Sequence, residues 1–310
     1  MKYKNNNNNK IDVSIIIVNY DLTESIRKLL LSIKEYVTNV KYEVIVVDNN
    51  SPDRAIEVLK KEFPEFSFEL LDTNYGFGHG NNVGAKLSTG KYILLLNPDT
   101  YLIENLPLKL FNLAEDNPEF GVIGPQLIFP DGKYQVSYAK FPNIKQELLI
   151  AIGLIGQALT LIYKLKDLFS RNKKYYSVDF VFGSCMFIKR DVFERVKGFD
   201  EEYFLISEET DLCYKIKKYY GKKIIYWKGA RLVHEKSLAT GRNIPLRMKQ
   251  AYKSKLIFFK KHYSKYYFTF LKYSIIIAFL FKQVFLFRKR ENKKKYKETY
   301  QEIIRLYYGN

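Results

Sequence analysis

The feature that most constrains this chain is a series of short apolar runs, each ending in polar residues. Val13–Asn19 reads VSIIIVN, and Tyr42–Val47 (YEVIVV) runs into Asp48-Asn49-Asn50-Ser51. Phe68–Leu71 runs into Asp72-Thr73-Asn74, and Tyr92–Leu96 (YILLL) into Asn97-Pro98-Asp99. Short β-branched runs without strict alternation read as strands buried on both faces, as in a parallel sheet. Helical patterns lie between them: Leu22–Tyr36, with Thr23 as its cap, Asp53–Phe63, and Phe77–Leu87 behind a Gly-rich start. Alternating strand and helix predicts an α/β domain with a mainly parallel central sheet flanked by helices. In such sheets ligands bind beyond the carboxyl ends of the strands. Asn19, Asp48, Asn74, Asn97 and Asp99 all stand there.

Beyond Asp99 the pattern loosens. Gly121–Phe129 and Phe180–Ile188 read as further strands, and carboxylates open a helix after the turn Gly198-Phe199-Asp200. Leu148–Tyr163 is apolar for sixteen residues, short of the roughly 20 that a spanning helix needs. It fits a membrane interface, an acceptor groove or a packed core. From about Met248 the chain turns basic and aromatic, with Arg288-Lys289-Arg290 and Lys293-Lys294-Lys295 near its end. One or two helices are predicted there, suited to an anionic membrane surface, which attracts each nearby cation by about 1 kcal/mol. A packed helix pair with solvated basic faces is the alternative. The net charge of +18 implies an anionic partner but does not choose one. No nucleic-acid motif accompanies it, so nucleic acid is not expected. Cys185 and Cys213 sit in apolar surroundings without CxxC spacing, which argues against a disulfide framework and for a reducing compartment. The polar stretch 1–10 has no signal-peptide core, and a cytoplasmic location is expected.

Four constellations could carry chemistry. Asn97-Pro98-Asp99-Thr100 puts a carboxylate at a strand end, able to hold Mg²⁺ or Mn²⁺ shared with substrate phosphates; alone, it reads as an ordinary capped turn. Asp48 can accept from a base N–H, or form an Asx turn and cap. Gly76, Gly78 and Gly80 enter a helix whose N-terminus favours anions, but they lack the GxGxxG spacing and no Walker lysine follows. Glu208, Glu209 and Asp211 gather at a helix start. A general base there must reach its donor within about 3 Å; otherwise the acids simply complement the helix dipole. His234, alone among its neighbours, reads first as a hydrogen-bonded structural residue, as do His79 and His262.

Taken together, seven segments resemble glycosyltransferase family 2, of GT-A fold, and within it the bacterial and archaeal rhamnosyltransferase-like members. They are VSIIIVNY (13–20), EVIVVDNNS (43–51), NYGFGHGNNVG (74–84), YILLLNPDT (92–100), FVFGSCMFIKRDVFERVKGFDEEYF (180–204), EETDL (208–212) and ARLVHEKS (230–237). They occur in family order over about 13–240. The resemblance implies a GT-A, Rossmann-like domain at 11–245, with a nucleotide-binding half (11–100) and an acceptor and catalytic half (101–245). A polar tail (1–10) precedes it and a basic helical extension (246–310) follows. It implies that Asn19 and Asp48 hold the nucleoside, and that Asn74, Gly76, Asn82 and Asn97 shape the nucleotide-sugar pocket. Asp99 would be the metal carboxylate, with His234 as second metal or diphosphate contact. Glu209 falls at the base position, where the family commonly has Asp, and leaves Glu208 and Asp211 as substitutes. The implied reaction is metal-dependent and inverting. It uses a divalent cation and a nucleoside-diphosphate sugar of the dTDP-rhamnose or UDP-sugar type. The acceptor would be a glycan or polyprenyl-diphosphate-linked molecule of surface polysaccharide synthesis, at the inner face of the cell membrane. A non-catalytic nucleotide-sugar-binding scaffold is the alternative, because Asn97 and the Glu-Glu pair depart from the commonest family motifs.

Overall fold

A computed structural model of the 310-residue chain describes residues 10–52, 56–151, 162, 175–235, 244–285 and 293–309. They fall into two compact units. The first is drawn from Met1–Lys140, Asn172–Glu201 and Glu209–Lys236, the second from Phe141–Arg171, Glu202–Glu208 and Ser237–Asn310.

The first unit follows the apolar runs. Strands β1 (Val13–Asn19), β2 (Tyr42–Asp48), β3 (Ser67–Leu70) and β4 (Tyr92–Leu96) alternate with helices α1 (Thr23–Tyr36), α2 (Ile56–Glu62) and α3 (Phe77–Leu87). These four strands lie parallel in the order β3-β2-β1-β4. β1 is buried along its whole length, as a strand covered on both faces must be. Its register pairs Asn19 with Asp48, so the polar strand ends share one edge. Burial of each Val, Ile or Leu side chain here stabilises the fold by about 1.5–3 kcal/mol. Thr23 is the first residue of α1 rather than its cap. The N-cap position is Leu22, which makes no side-chain cap bond; Asn19 Oδ1 accepts from Leu22 N at 3.2 Å and so fixes the turn that leads into the helix.

Past β4 the sheet becomes mixed. β5 (Thr100–Leu102) and α4 (Leu106–Asp116) lead to β6 (Phe120–Ile128), then the short β7 (Tyr134–Gln135) and β8 (Tyr138–Ala139). After α5 (Ile144–Ala151) come β9 (Tyr175–Val178), β10 (Phe180–Val181), β11 (Cys185–Lys189), α6 (Arg190–Arg195), α7 (Glu208–Tyr220) and β12 (Lys223–His234). β11 runs antiparallel between β4 and β6, and β12 runs parallel to β6 and antiparallel to β5 and β9. The single strand expected over Phe180–Ile188 is therefore two. The break at Gly183 and Ser184 sends β10 to pair with β8, while β11 enters the main sheet.

The second unit is helical: α5, α8 (Ile244–His262), α9 (Lys265–Phe285) and α10 (Lys293–Tyr308). Three helices thus stand where one or two were expected. Ser264 separates the first pair: its Oγ accepts from Tyr267 N at 3.3 Å and its carbonyl from Phe268 N at 2.9 Å, so it caps α9. Phe258, Phe259, Leu271, Ile275, Phe279 and Ile303 form the buried interior. Buried Glu147 pairs with Lys255. Most of the apolar run Leu148–Tyr163 lies outside the described residues. Among the described residues no helix is long and apolar enough to cross a membrane.

Candidate active site

The carboxyl edge of the parallel strands is held by a buried polar network. Asn19 Nδ2 donates to Asp48 Oδ1 at 2.6 Å and to Ser51 Oγ at 3.0 Å. Asp48 also accepts from Ser51 N at 2.9 Å and from Ser51 Oγ at 2.6 Å. Its carboxylate is therefore committed to an Asx-type turn, whatever else it contacts. Ser51, at the end of the 43–51 segment, completes this network, although nothing in the sequence marks it apart from its neighbours. Asn49 Nδ2 donates to Gly76 O at 3.0 Å, tying β2 to the glycine loop, while the buried Asn49 Oδ1 has no hydrogen-bond partner.

The glycine loop divides into two roles. Gly76, at φ 93°, makes a turn that side chains resist, and its N–H donates to Asn74 Oδ1 at 3.0 Å. Gly80 and Gly84 serve packing instead. A Cβ on Gly84 would lie 2.4 Å from Ile16 Cγ2, and one on Gly80 would lie 2.8 Å from Val18 Cγ1. They let α3 settle directly onto β1. Asn82 is tied to the turn that holds Phe199. Its amide brackets Phe199, donating to the carbonyl and accepting from the N–H, each at 2.9 Å, and it also donates to Glu201 Oε1 at 2.9 Å. His79 Nδ1 meets Glu201 Oε2 at 2.8 Å. Partial burial pushes the Glu201 carboxyl up, but the bonds from Asn82 and His79 outweigh it and hold the group below its usual range.

Asp99 and His234 are brought together by strand register. β5 begins at Thr100, which pairs with His234 on β12. Asp99 O accepts from Glu235 N at 2.9 Å, and His234 Nε2 lies 3.3 Å from Asp99 Oδ1. Asp99 is buried, and its Oδ2 has no hydrogen-bond partner. A buried carboxylate oxygen left unmatched is costly, which makes it a natural ligand for a cation. His234 Nδ1 lies 3.1 Å from Gln135 Oε1 on β7. With Nδ1–H donated to that amide oxygen, Nε2 is the ring atom left to face a cation held beside Asp99. Gln135 carried no motif signal, because it arrives from a two-residue strand more than thirty residues from β5.

The Asp99 carboxylate fits a hard divalent cation that takes most of its other ligands from phosphates and water, with the softer His234 nitrogen beside it. They do not make an all-protein site: among the described residues no group of three or more His, Cys, Asp or Glu gathers for a metal.

The carboxylates of α7 differ in environment. Asp211 is fully buried and paired with Lys215 at 3.1 Å, and Glu208 is also buried. Glu209 alone of the three is half-exposed. It stands beside Gly183, where a Cβ would be 3.9 Å from Glu209 Cβ and 3.4 Å from the Phe77 ring. The next residue, Ser184, accepts from Asn97 N at 3.1 Å. A continuous path thus joins Glu209 to the Asn97-Pro98-Asp99 turn. Ile206 and Ser207 precede α7 with φ of 71° and 78°, backbone rarely adopted by such residues.

The strand order and the polar strand ends define an α/β domain with its candidate site at the carboxyl edge of the parallel strands. The family model Glycosyl transferase family 2 matches residues 14–197. The chain belongs to glycosyl transferase family 2, with rhamnosyltransferase-like relatives, and is a glycosyltransferase. It is 28% identical over 213 residues to the low-salt glycan biosynthesis hexosyltransferase Agl10 of Haloferax volcanii, covering 67% of this chain and 62% of that protein. It is 25% identical over 266 residues to the N-acetylglucosaminyl-diphospho-decaprenol L-rhamnosyltransferase of Mycobacterium tuberculosis, covering 81% and 84%. The crystal structure of GalNAc-T7 with UDP, GalNAc and Mn²⁺ superposes with TM-score 0.59 at 14% identity, covering 98% of this chain and 57% of that one, a likeness of fold.

Proposed function

We propose that the chain transfers a sugar, with inversion, from a nucleoside-diphosphate sugar of the dTDP-rhamnose or UDP-sugar type. The acceptor would be a glycan or a polyprenyl-diphosphate-linked molecule of surface polysaccharide synthesis, met at the cytoplasmic face of a membrane. The observation that carries this reading is the buried Asp99 carboxylate, with one oxygen unmatched and His234 Nε2 3.3 Å from the other. The mycobacterial relative, a rhamnosyltransferase named for a decaprenyl-diphosphate-linked sugar, supports the acceptor class. The UDP and Mn²⁺ held by GalNAc-T7 support the donor class and the cation.

Asp99 and His234 would hold the divalent cation, which when bound neutralises charge on the leaving diphosphate. Asn19, Asp48, Asn74 and Gly76 would hold the nucleoside side of the donor. Asn97 would act from the Asp99 turn, and Asn82 indirectly, by fixing the Phe199 loop. Glu209 would take the proton of the acceptor hydroxyl as that oxygen attacks the anomeric carbon and the sugar–diphosphate bond breaks. Its partial exposure supports it over buried Glu208 and over Asp211, which is occupied by Lys215. Positioning of the two substrates supplies much of the remaining acceleration.

The test is a thermal-shift screen against nucleotide sugars with and without Mn²⁺, followed by nucleoside-diphosphate release with the best donor. Donor at one hundred times its Kd stabilises by about 2.7 kcal/mol. Release is expected to fall about 10²–10³-fold in Asp99→Ala. A donor that binds but is never turned over would instead indicate a scaffold.

A further inference from the structure

Helix α9 is apolar on two faces. Phe268, Leu271, Ile275 and Phe279 are buried among the helices of the second unit. On another face Tyr266, Phe270, Tyr273, Ile277 and Leu280 recur at helical spacing and are all exposed, Tyr266 by 89% and Ile277 by 66%. At about 100° per residue these five side chains occupy one continuous stripe four turns long. Lys265 and Lys272 project along one margin of that stripe, and Lys272 Nζ lies 5.6 Å from the Tyr273 ring centroid. Monomeric soluble proteins rarely leave such an apolar strip bare.

The surrounding sequence says what covers it. From Lys236 to Arg290 the chain carries fourteen Lys and Arg and not one Asp or Glu. Two copies of this chain joined through the stripe would bring these cation-rich segments together, which like-charge repulsion opposes. An anionic bilayer offers the complement of both features. Its headgroups attract the cations, and its interfacial zone accepts Tyr, Phe and Ile side chains from a helix lying in the membrane plane. The helix is not apolar enough to cross.

We propose that the Tyr266–Leu280 face of α9 inserts into the interfacial layer of an anionic membrane and docks the enzyme there. This names the surface behind the membrane-facing part of the proposed function and rests on it, but its test does not use transfer to a lipid acceptor. The full chain is floated with phosphatidylcholine vesicles with and without phosphatidylglycerol. Binding is expected only with the anionic lipid and weakens as salt rises. The triple variant Tyr266→Ser, Phe270→Ser, Ile277→Ser is expected to lose about tenfold or more in vesicle affinity. Its circular dichroism and its release of nucleoside diphosphate from donor in solution should be unchanged.

A second measurement does not need that variant to fold. Cys185 and Cys213 are buried, so an Ile277→Cys chain can be labelled at one position with a polarity-sensitive dye. The dye's emission is expected to shift to the blue on adding anionic vesicles. Unchanged vesicle binding by the triple variant, or an unmoved emission, overturns the proposal. So does a dimer in light scattering that the triple variant dissolves, which would assign the stripe to a second copy. Loss of donor turnover in the unaltered chain, with vesicle binding intact, would count against the catalytic reading and leave the docking face standing.

Discussion

The two units use apolar residues in opposite ways. In the first, β1, β4 and the core of β2 are buried throughout, and polar residues appear where strands end. The central strands are largely apolar along their buried length, so the polar edge at their ends stands out as the place for chemistry. In the second, α9 carries more apolar surface than its neighbours cover, and the sequence that includes it, from Lys236 to Arg290, is basic with no acidic residue. A polar cluster at the end of a buried sheet points to a small, charged ligand. An uncovered apolar stripe in a basic segment points to a broad, anionic surface.

This contrast can be broken or sharpened by substitution. The largest effect is expected at Glu209. Glu209→Gln should lower transfer by about 10²–10⁴-fold with donor binding kept, measured by product formation beside donor thermal shift. Equal activity in Glu209→Gln and a large loss in Glu208→Gln would move the base by one residue. Next is Gln135→Ala. If Gln135 fixes the His234 ring, divalent-cation affinity in the presence of nucleoside diphosphate should fall by about 10–100-fold. Gln135→Glu, which keeps an acceptor for Nδ1–H, should restore most of it. A third change tests the core itself. Gly84→Ala puts a methyl 2.4 Å from Ile16 Cγ2 and should cost about 1–3 kcal/mol in denaturant unfolding, whereas exposed positions on α9 should cost little.

The smallest effect is one of pH. Partial burial pushes the Glu43 carboxyl up, but bonds from Thr89 N, Ser14 Oγ, Thr89 Oγ1 and Gly90 N outweigh it and hold the group below its ordinary value. A carboxyl lowered in the folded state stabilises fully above its unfolded pKa, about 4.3, and that contribution is lost as pH falls through the folded value. Glu43→Gln should therefore flatten the fall in stability below about pH 4.3, read as urea midpoints across an acid series.

Sequence made the first unit readable because its signals are local. Each strand of VSIIIVN type announces itself and places Asn19, Asp48 and Asp99 at the polar edge, while their roles come only from the family resemblance. The joining of Asp99 to His234 is not local. It depends on β5 and β12 pairing across more than one hundred and thirty residues, and only the family resemblance put the two residues in one site. Gln135 was invisible for the same reason, since nothing in a Tyr-Gln pair marks it as the partner of a distant imidazole. In one dimension Gly80 stands among the glycines of an anion-favouring helix start, and Gly84 lies one turn further on. Only the distance to Val18 and Ile16 shows them to be packing positions. The α9 stripe was written in the sequence as spacing, but the buried and bare faces are both apolar, and periodicity alone does not separate them.

The central claim is that Asp99 and His234 form half of a cation site completed by a nucleoside diphosphate. Electron paramagnetic resonance of free Mn²⁺, titrated into the chain with UDP or dTDP, tests it most directly. Mn²⁺ should be taken up by the unaltered protein far more strongly with one of the nucleotides than without, and Asp99→Ala should abolish the difference. Equal uptake by the unaltered chain and Asp99→Ala, with either nucleotide, would contradict it.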